Sequence, residues 1–189
     1  MALLIFGLLI WVAVHLLRRV APNARDAMTD KMGEVSKGLI AVLIVVSVVL
    51  MVIGYRQADF IPVWEPPSFF KGINNLLMLL AFYIYGASAR KADKVWIGTK
   101  IRHPQLAGFM VWTVAHLLVN GDMASVILFG GLLVWAAVSI PLINKAEGPW
   151  TVPPQAPAKS EIILVVIALV LFSVVAGIHT WLGVSPFGG

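Results

Sequence analysis

Six apolar stretches, Ala2–Leu17, Leu39–Tyr55, Ile73–Ser88, Gln105–Val119, Met123–Ile143 and Ile162–Leu182, take up most of this 189-residue chain and decide what it can fold into. About 20 apolar residues cross a bilayer core. No water is available there, so each crossing must pair its own backbone groups, and a helix does this within one segment. The first, third and fourth stretches are short; they would tilt little, thin the bilayer locally or extend with flanking polar turns. Only 12% of the residues are charged, against about 25% in soluble domains. The expected fold is all-α: an integral membrane bundle of about six transmembrane helices, with residues 1–189 as one domain.

Charge orients the bundle. Arg18, Arg19, Arg25, Lys31 and Lys37 follow the first stretch, and Arg90, Lys91, Lys94, Lys100 and Arg102 follow the third. The second connection carries only Arg56 and Lys71, and the fourth is the tight Asn120-Gly121-Asp122 turn. Excess Lys and Arg mark cytoplasmic loops, so both termini are expected on the non-cytoplasmic side. The formal net charge of +5 is spread over these loops rather than over one basic surface, which argues for topology and against nucleic acid as a partner. Membrane lipid is the expected surrounding, and loop charge with compactness favours a bacterial inner membrane. Met1–Leu17 lacks a basic leader and a small-residue cleavage site, so it reads as a retained helix.

Two connections have distinctive composition. Residues 59–70 combine three prolines with aromatic residues, suited to a segment resting in the membrane interface, to a lid, or to a plain connector with interfacial anchors. Residues 148–159 hold four prolines and read as an extended link to the last helix.

Chemistry narrows to histidine. The chain has no cysteine, which excludes disulfides, thiolate metal sites, iron–sulfur clusters, covalent c-type haem and a cysteine nucleophile. Each of the four histidines lies in or beside an apolar stretch: His15, His103, His116 and His179. Ionisable groups at membrane depth are costly unless paired or buried within the bundle, so each is a functional candidate, although a lone one also serves as a simple interhelical hydrogen-bond partner. By position, His15 and His103 lie toward the cytoplasmic face, and His116 and His179 toward the other. His103 and His116 are thirteen residues apart on one stretch, about 20 Å along a helix, so they cannot share one metal ion. Two imidazoles from separate helices suit a bis-histidine haem b, whereas zinc wants three or four ligands and the acids here are in loops. Depth alone pairs His15 with His103 or His116 with His179, and two haems remain open. Trp112, His116 and Asn120 share one stripe at four-residue spacing. Trp112 and Asn120 therefore suit either the surroundings of a macrocycle or anchoring at the end of a span.

The run Ile101-Arg-His-Pro-Gln-Leu-Ala-Gly-Phe-Met-Val-Trp-Thr-Val-Ala-His-Leu-Leu-Val-Asn-Gly-Asp122, followed by Ala124-Ser125 and Leu128-Phe129-Gly130-Gly131, resembles the NnrU family, which shares a domain with the 15-cis-zeta-carotene isomerases. Trp11-Val-Ala-Val-His15, Gly38-Leu39, Val52-Ile-Gly-Tyr-Arg56 and His179-Thr-Trp-Leu-Gly-Val-Ser-Pro186 carry the resemblance over nearly the whole chain. In the isomerase branch it implies a haem-b enzyme that rotates a cis double bond of a long polyene through redox-dependent histidine ligation. His15, His103 and His116 match that branch's functional histidines, with His15 and His116 as the leading iron ligands. Their expected depths differ, which sits awkwardly with one shared iron. Plant-type isomerases place a cysteine three residues before the second of these; this chain has Thr113, so a thiolate-to-imidazole switch is not available. The NnrU branch is named for an association with nitrite and nitric oxide reduction, which implies electron transfer or nitrogen-oxide handling.

Three further readings follow. One is a haem or accessory membrane protein with a redox partner rather than an apolar lipid-soluble substrate. A second is a membrane methyltransferase: Arg102-His-Pro-Gln-Leu-Ala-Gly108 is similar to the Arg-His-Pro-x-Tyr-x-Gly motif of that class, but Leu106 replaces the tyrosine and only Glu147 and Glu161 follow Asp122 as acids. The third is a scaffold subunit or oligomer, in which Gly130-Gly131 permits close helix packing.

Overall fold

The computed structural model describes residues 1–90 and 92–187, so Lys91, one of the third-loop cations, lies outside the described residues. Helices dominate: α1 (Ala2–Val20), α2 (Pro22–Met32), α3 (Val35–Arg56), α4 (Phe70–Gly86), α5 (Pro104–Val119), α6 (Met123–Glu147) and α7 (Ala158–Trp181). Four of them, α1, α3, α6 and α7, are long and apolar enough to cross a membrane. The other two expected crossings, α4 and α5, have 17 and 16 residues, short of the ~20 that span a bilayer core. In α1 the helix continues through Arg18 and Arg19, whose long side chains can reach the interface, and stops before Pro22.

Helix α2 falls where a polar loop was expected. Pro22 sits in its first turn, where a missing N–H costs nothing, and Gly33 ends it at φ 56. In α6, residues Val126–Gly130 form a π-helical turn between α-helical segments.

The chain divides into two compact units. One comprises residues 1–64 and 122–148, carrying α1, α2, α3 and α6. Its centre is the antiparallel pair α1 and α3, which approach through small residues. A Cβ on Gly7 would lie 2.7 Å from the Ser47 carbonyl oxygen and 2.8 Å from the Met51 nitrogen, and one on Gly54 would strike the backbone of Leu4. Such residues let transmembrane backbones close up, which gains dispersion contacts where lipid supplies no hydrophobic drive between helices. Leu4 and Ser47 are fully buried as a result. Gly131 of α6 leaves room for the Leu8 side chain rather than for backbone, whereas Gly130 faces open space, so half of the expected glycine pair is used within this unit. Residues 61–62 of the proline-rich connection dock on the start of α6: the Met123 N–H donates to the Ile61 carbonyl at 2.9 Å.

The other unit comprises residues 65–121 and 149–189, carrying α4, α5 and α7, with α4 packed on both of its partners. Gly108 of α5 abuts Ala81 and Tyr85 of α4, and Gln105 donates to the Tyr85 hydroxyl at 3.0 Å, which makes this pair antiparallel. Leu164 of α7 fills the space beside Gly86. The second proline-rich connection is not a free link: the Lys94 N–H donates to the Pro154 carbonyl at 2.9 Å, and the Ala156 N–H to the Lys94 carbonyl at 2.7 Å. Glu161 closes this end, accepting from the Tyr83 hydroxyl and, at 2.9 Å, from the Trp96 N–H.

Candidate functional site

Three of the four histidines lie inside helices, and all three are held in one way. The Nδ1 of His15 lies 2.8 Å from the Trp11 carbonyl, that of His116 2.9 Å from the Trp112 carbonyl, and that of His179 2.8 Å from the Val175 carbonyl. A carbonyl only accepts, so Nδ1 carries the proton in each, and in the neutral ring the lone pair resides on Nε2. The four-residue offset follows from the helix, whose side chains tilt back toward the preceding turn. A backbone-bonded Nδ1–H that presents Nε2 is the usual arrangement of a metal-ligating imidazole, since the bond fixes both tautomer and ring orientation.

In the first unit, His15 is packed among indoles. Its ring centroid lies 4.0 Å from that of Trp11 at 31° and 5.0 Å from that of Trp135 at 71°, and the two indoles meet edge to face at 5.2 Å. The Trp11 Nε1 is buried and has no partner among the described residues. Sequence reading found Trp11 only as part of the family resemblance and missed Trp135, which stands 124 residues away in the chain and has no local signal.

In the second unit, His179 acts electrostatically on His116, so these two rings from α5 and α7 belong to one end of the same unit. Trp112 is in the shell of His116, with ring centroids 5.1 Å apart at 53°. Asn120 caps α5: its Nδ2 donates to the His116 carbonyl at 2.8 Å, so it addresses the backbone of His116 rather than its ring. Thr113 is fully buried, its hydroxyl donating to the Met110 carbonyl at 2.7 Å. His103 is the residue before α5, where its carbonyl accepts the Ala107 N–H at 2.9 Å. His15 belongs to the first unit and His116 to the second.

The donor set discriminates among metals. Among the described residues, no three side chains of His, Asp or Glu gather as an ion site. A bare divalent ion on two neutral imidazoles at membrane depth would leave two charges uncompensated in a medium of low dielectric. A ferrous tetrapyrrole brings its own two negative charges and asks the protein only for axial imidazoles, so these residues fit haem b better than zinc.

Among known protein families, NnrU, described as NnrU protein, matches residues 3–186. No curated protein and no solved structure matches the chain. With the match running over nearly its whole length, the chain belongs to the NnrU family.

Proposed function

We propose that this is an integral membrane haem-b protein whose iron is held by imidazoles from its spans. The observation that carries the reading is the shared geometry of His15, His116 and His179, in which an Nδ1–H bound to the carbonyl four residues back fixes tautomer and ring orientation. Within one unit, His116 of α5 and His179 of α7 supply two such groups from separate helices. Resemblance to the isomerase branch favours His15 with His116, so the pair is assigned by mutation. When bound, haem would supply a one-electron couple, held by imidazoles of these helices. The chain's own part is to orient the rings, to place Trp112 beside His116 and to keep water out.

The proposed topology has six crossings, α4 and α5 being short ones, with both termini on the non-cytoplasmic side of a bacterial inner membrane. Exposed apolar side chains along α7, among them Ile163, Val166, Val170 and Val174, suit lipid contact. Two activities use such a haem: cis–trans isomerisation of a polyene such as zeta-carotene entering from lipid, or electron transfer to a redox partner in nitrite and nitric oxide reduction. Thr113, with its hydroxyl engaged by the backbone, supports imidazole-only ligation in either case.

The test is the absorption spectrum of protein purified in mild detergent, oxidised and dithionite-reduced, with a pyridine haemochrome assay. A b-type Soret band that shifts on reduction is expected. His116→Ala should lower haem content at least about tenfold, the loss of one axial ligand being worth well over 1.4 kcal/mol. His179→Ala and His15→Ala should differ, the ligand losing the band and the other retaining it. A colourless protein after expression with haem precursor sinks the reading.

A further inference from the structure

At the end of the second unit where His116 and His179 lie, α4 contributes two adjacent asparagines with different tasks. Asn75 Nδ2 donates to the Pro186 carbonyl at 3.1 Å, fastening the segment after α7. That segment turns at Gly183 (φ 86), where the Val184 N–H donates to the His179 carbonyl at 2.9 Å, and Phe187 meets the ring of Phe172 at 6.2 Å. Asn74 donates from Nδ2 to Asn75 Oδ1 at 3.4 Å, but its own Oδ1 is buried and has no partner among the described residues.

The position of Asn74 follows from the antiparallel register of α4 and α5. Gly108 abuts Ala81 and Tyr85. Two turns back from Ala81 is Asn74, on the same face, and two turns on from Gly108 is the fully buried Ala115, next to His116. Asn74 therefore faces α5 at the depth of His116. An amide oxygen shielded from water and left unpaired is costly, and on the six-crossing topology proposed above no bilayer solvent relieves it. Its chemistry specifies what does: Oδ1 is an acceptor, so the complementary group is a hydrogen-bond donor. Charge at this depth is disfavoured, so the donor is neutral.

We propose that Asn74 anchors a binding site for a neutral, lipid-phase ligand that presents a hydroxyl, the chemistry shared by alkyl hydroquinones and long-chain alcohols. The O–H donates to Asn74 Oδ1 and the apolar remainder lies among the spans. This goes beyond the haem reading and stands or falls separately from it, because binding is read without iron.

The test is a tryptophan-fluorescence titration of the full chain in detergent with four probes: a decyl hydroquinone, its dimethyl ether, a long-chain alcohol and its methyl ether. Each ether keeps the shape and removes the donor. At least one hydroxyl probe is expected to bind about tenfold tighter than its ether; the hydroquinone pair or the alcohol pair alone identifies the source, and both together leave the hydroxyl as the whole determinant. Asn74→Leu should abolish the discrimination while helicity and elution volume are kept, with Asn74→Ala as the smaller replacement if Leu is not tolerated. Asn75→Leu, which releases only the Pro186 tether, should keep it. Equal binding of hydroxyl and ether forms, or discrimination that survives loss of the Asn74 amide, overturns the proposal.

Discussion

Tyr83 and Glu161, 78 residues apart, join α4 to α7 through one hydrogen bond from phenol to carboxylate. The second oxygen of Glu161 takes the Trp96 N–H, so one side chain holds two helices and the third connection together. Glu161→Gln weakens both bonds and Tyr83→Phe removes one. Charge-assisted bonds contribute about 1.5–3 kcal/mol and neutral ones about 1. Glu161→Gln is therefore expected to cost about 1–2 kcal/mol, with Tyr83→Phe no worse, in thermal unfolding followed by circular dichroism in detergent. Unchanged midpoints for both variants would count against the lock.

Gly54 tests the close approach of α1 and α3. An added Cβ would meet the Leu4 Cα at 2.7 Å and the Leu3 carbonyl carbon at 2.8 Å, and backbone cannot step aside as a side chain would. Gly54→Ala is expected to cost about 1–3 kcal/mol, the usual range for overpacking. Gly177→Ala on α7, where nothing lies within 4 Å, is the control and should be neutral or up to about 1 kcal/mol stabilising, because alanine is the better helix former.

Ser125 is fully buried at the start of α6. Its N–H and hydroxyl donate to Asp122 at 3.0 and 2.5 Å, and the Tyr55 hydroxyl, with Ser125's own proton committed, donates to Ser125 Oγ at 2.9 Å. Ser125→Ala strands the phenol and one carboxylate oxygen, at about 1–3 kcal/mol. With Tyr55→Phe already present, the same change should cost less, and the shortfall in a double-mutant cycle measures the link.

The exposed pair Arg90–Asp93 gives the third connection a pH dependence. The guanidinium, bonded to the carboxylate at 2.5 and 2.9 Å, holds the Asp93 carboxyl below its ordinary 3.8. A depressed acid contributes its full share above its unfolded value and loses it as pH falls through the folded one. Protease cutting near Arg90 should therefore be unchanged from pH 7 down to about 4 and rise only below that. In Asp93→Asn it should be raised throughout.

Four long apolar helices, α1, α3, α6 and α7, were legible because apolar length is a local property, and the break at Asn120-Gly121-Asp122 because a short polar run between two apolar stretches leaves no other choice. Which way each imidazole faces was not legible, because that depends on helix rotation, which a stretch as uniformly apolar as Ile162–Leu182 leaves undefined. Helix α2 was missed although Pro22 and Gly33 mark both ends, since its residues have no apolar face to announce it. The contacts of Lys94 with Pro154 and of Trp135 with His15 join distant parts of the chain and leave no trace in either neighbourhood.

The π turn at Val126–Gly130 makes α6 unlike the other spans in how its length can change. Removing one residue from an ordinary α-helix rotates everything after it by about 100°, turning a buried face to lipid. A π turn already holds one residue more than the α-helix around it needs. A single deletion within 126–130 would let the ladder close as plain α-helix while Leu132, Trp135 and Ser139 keep their facing. In this chain the turn marks where one residue can be gained or lost without rewriting the rest of the span.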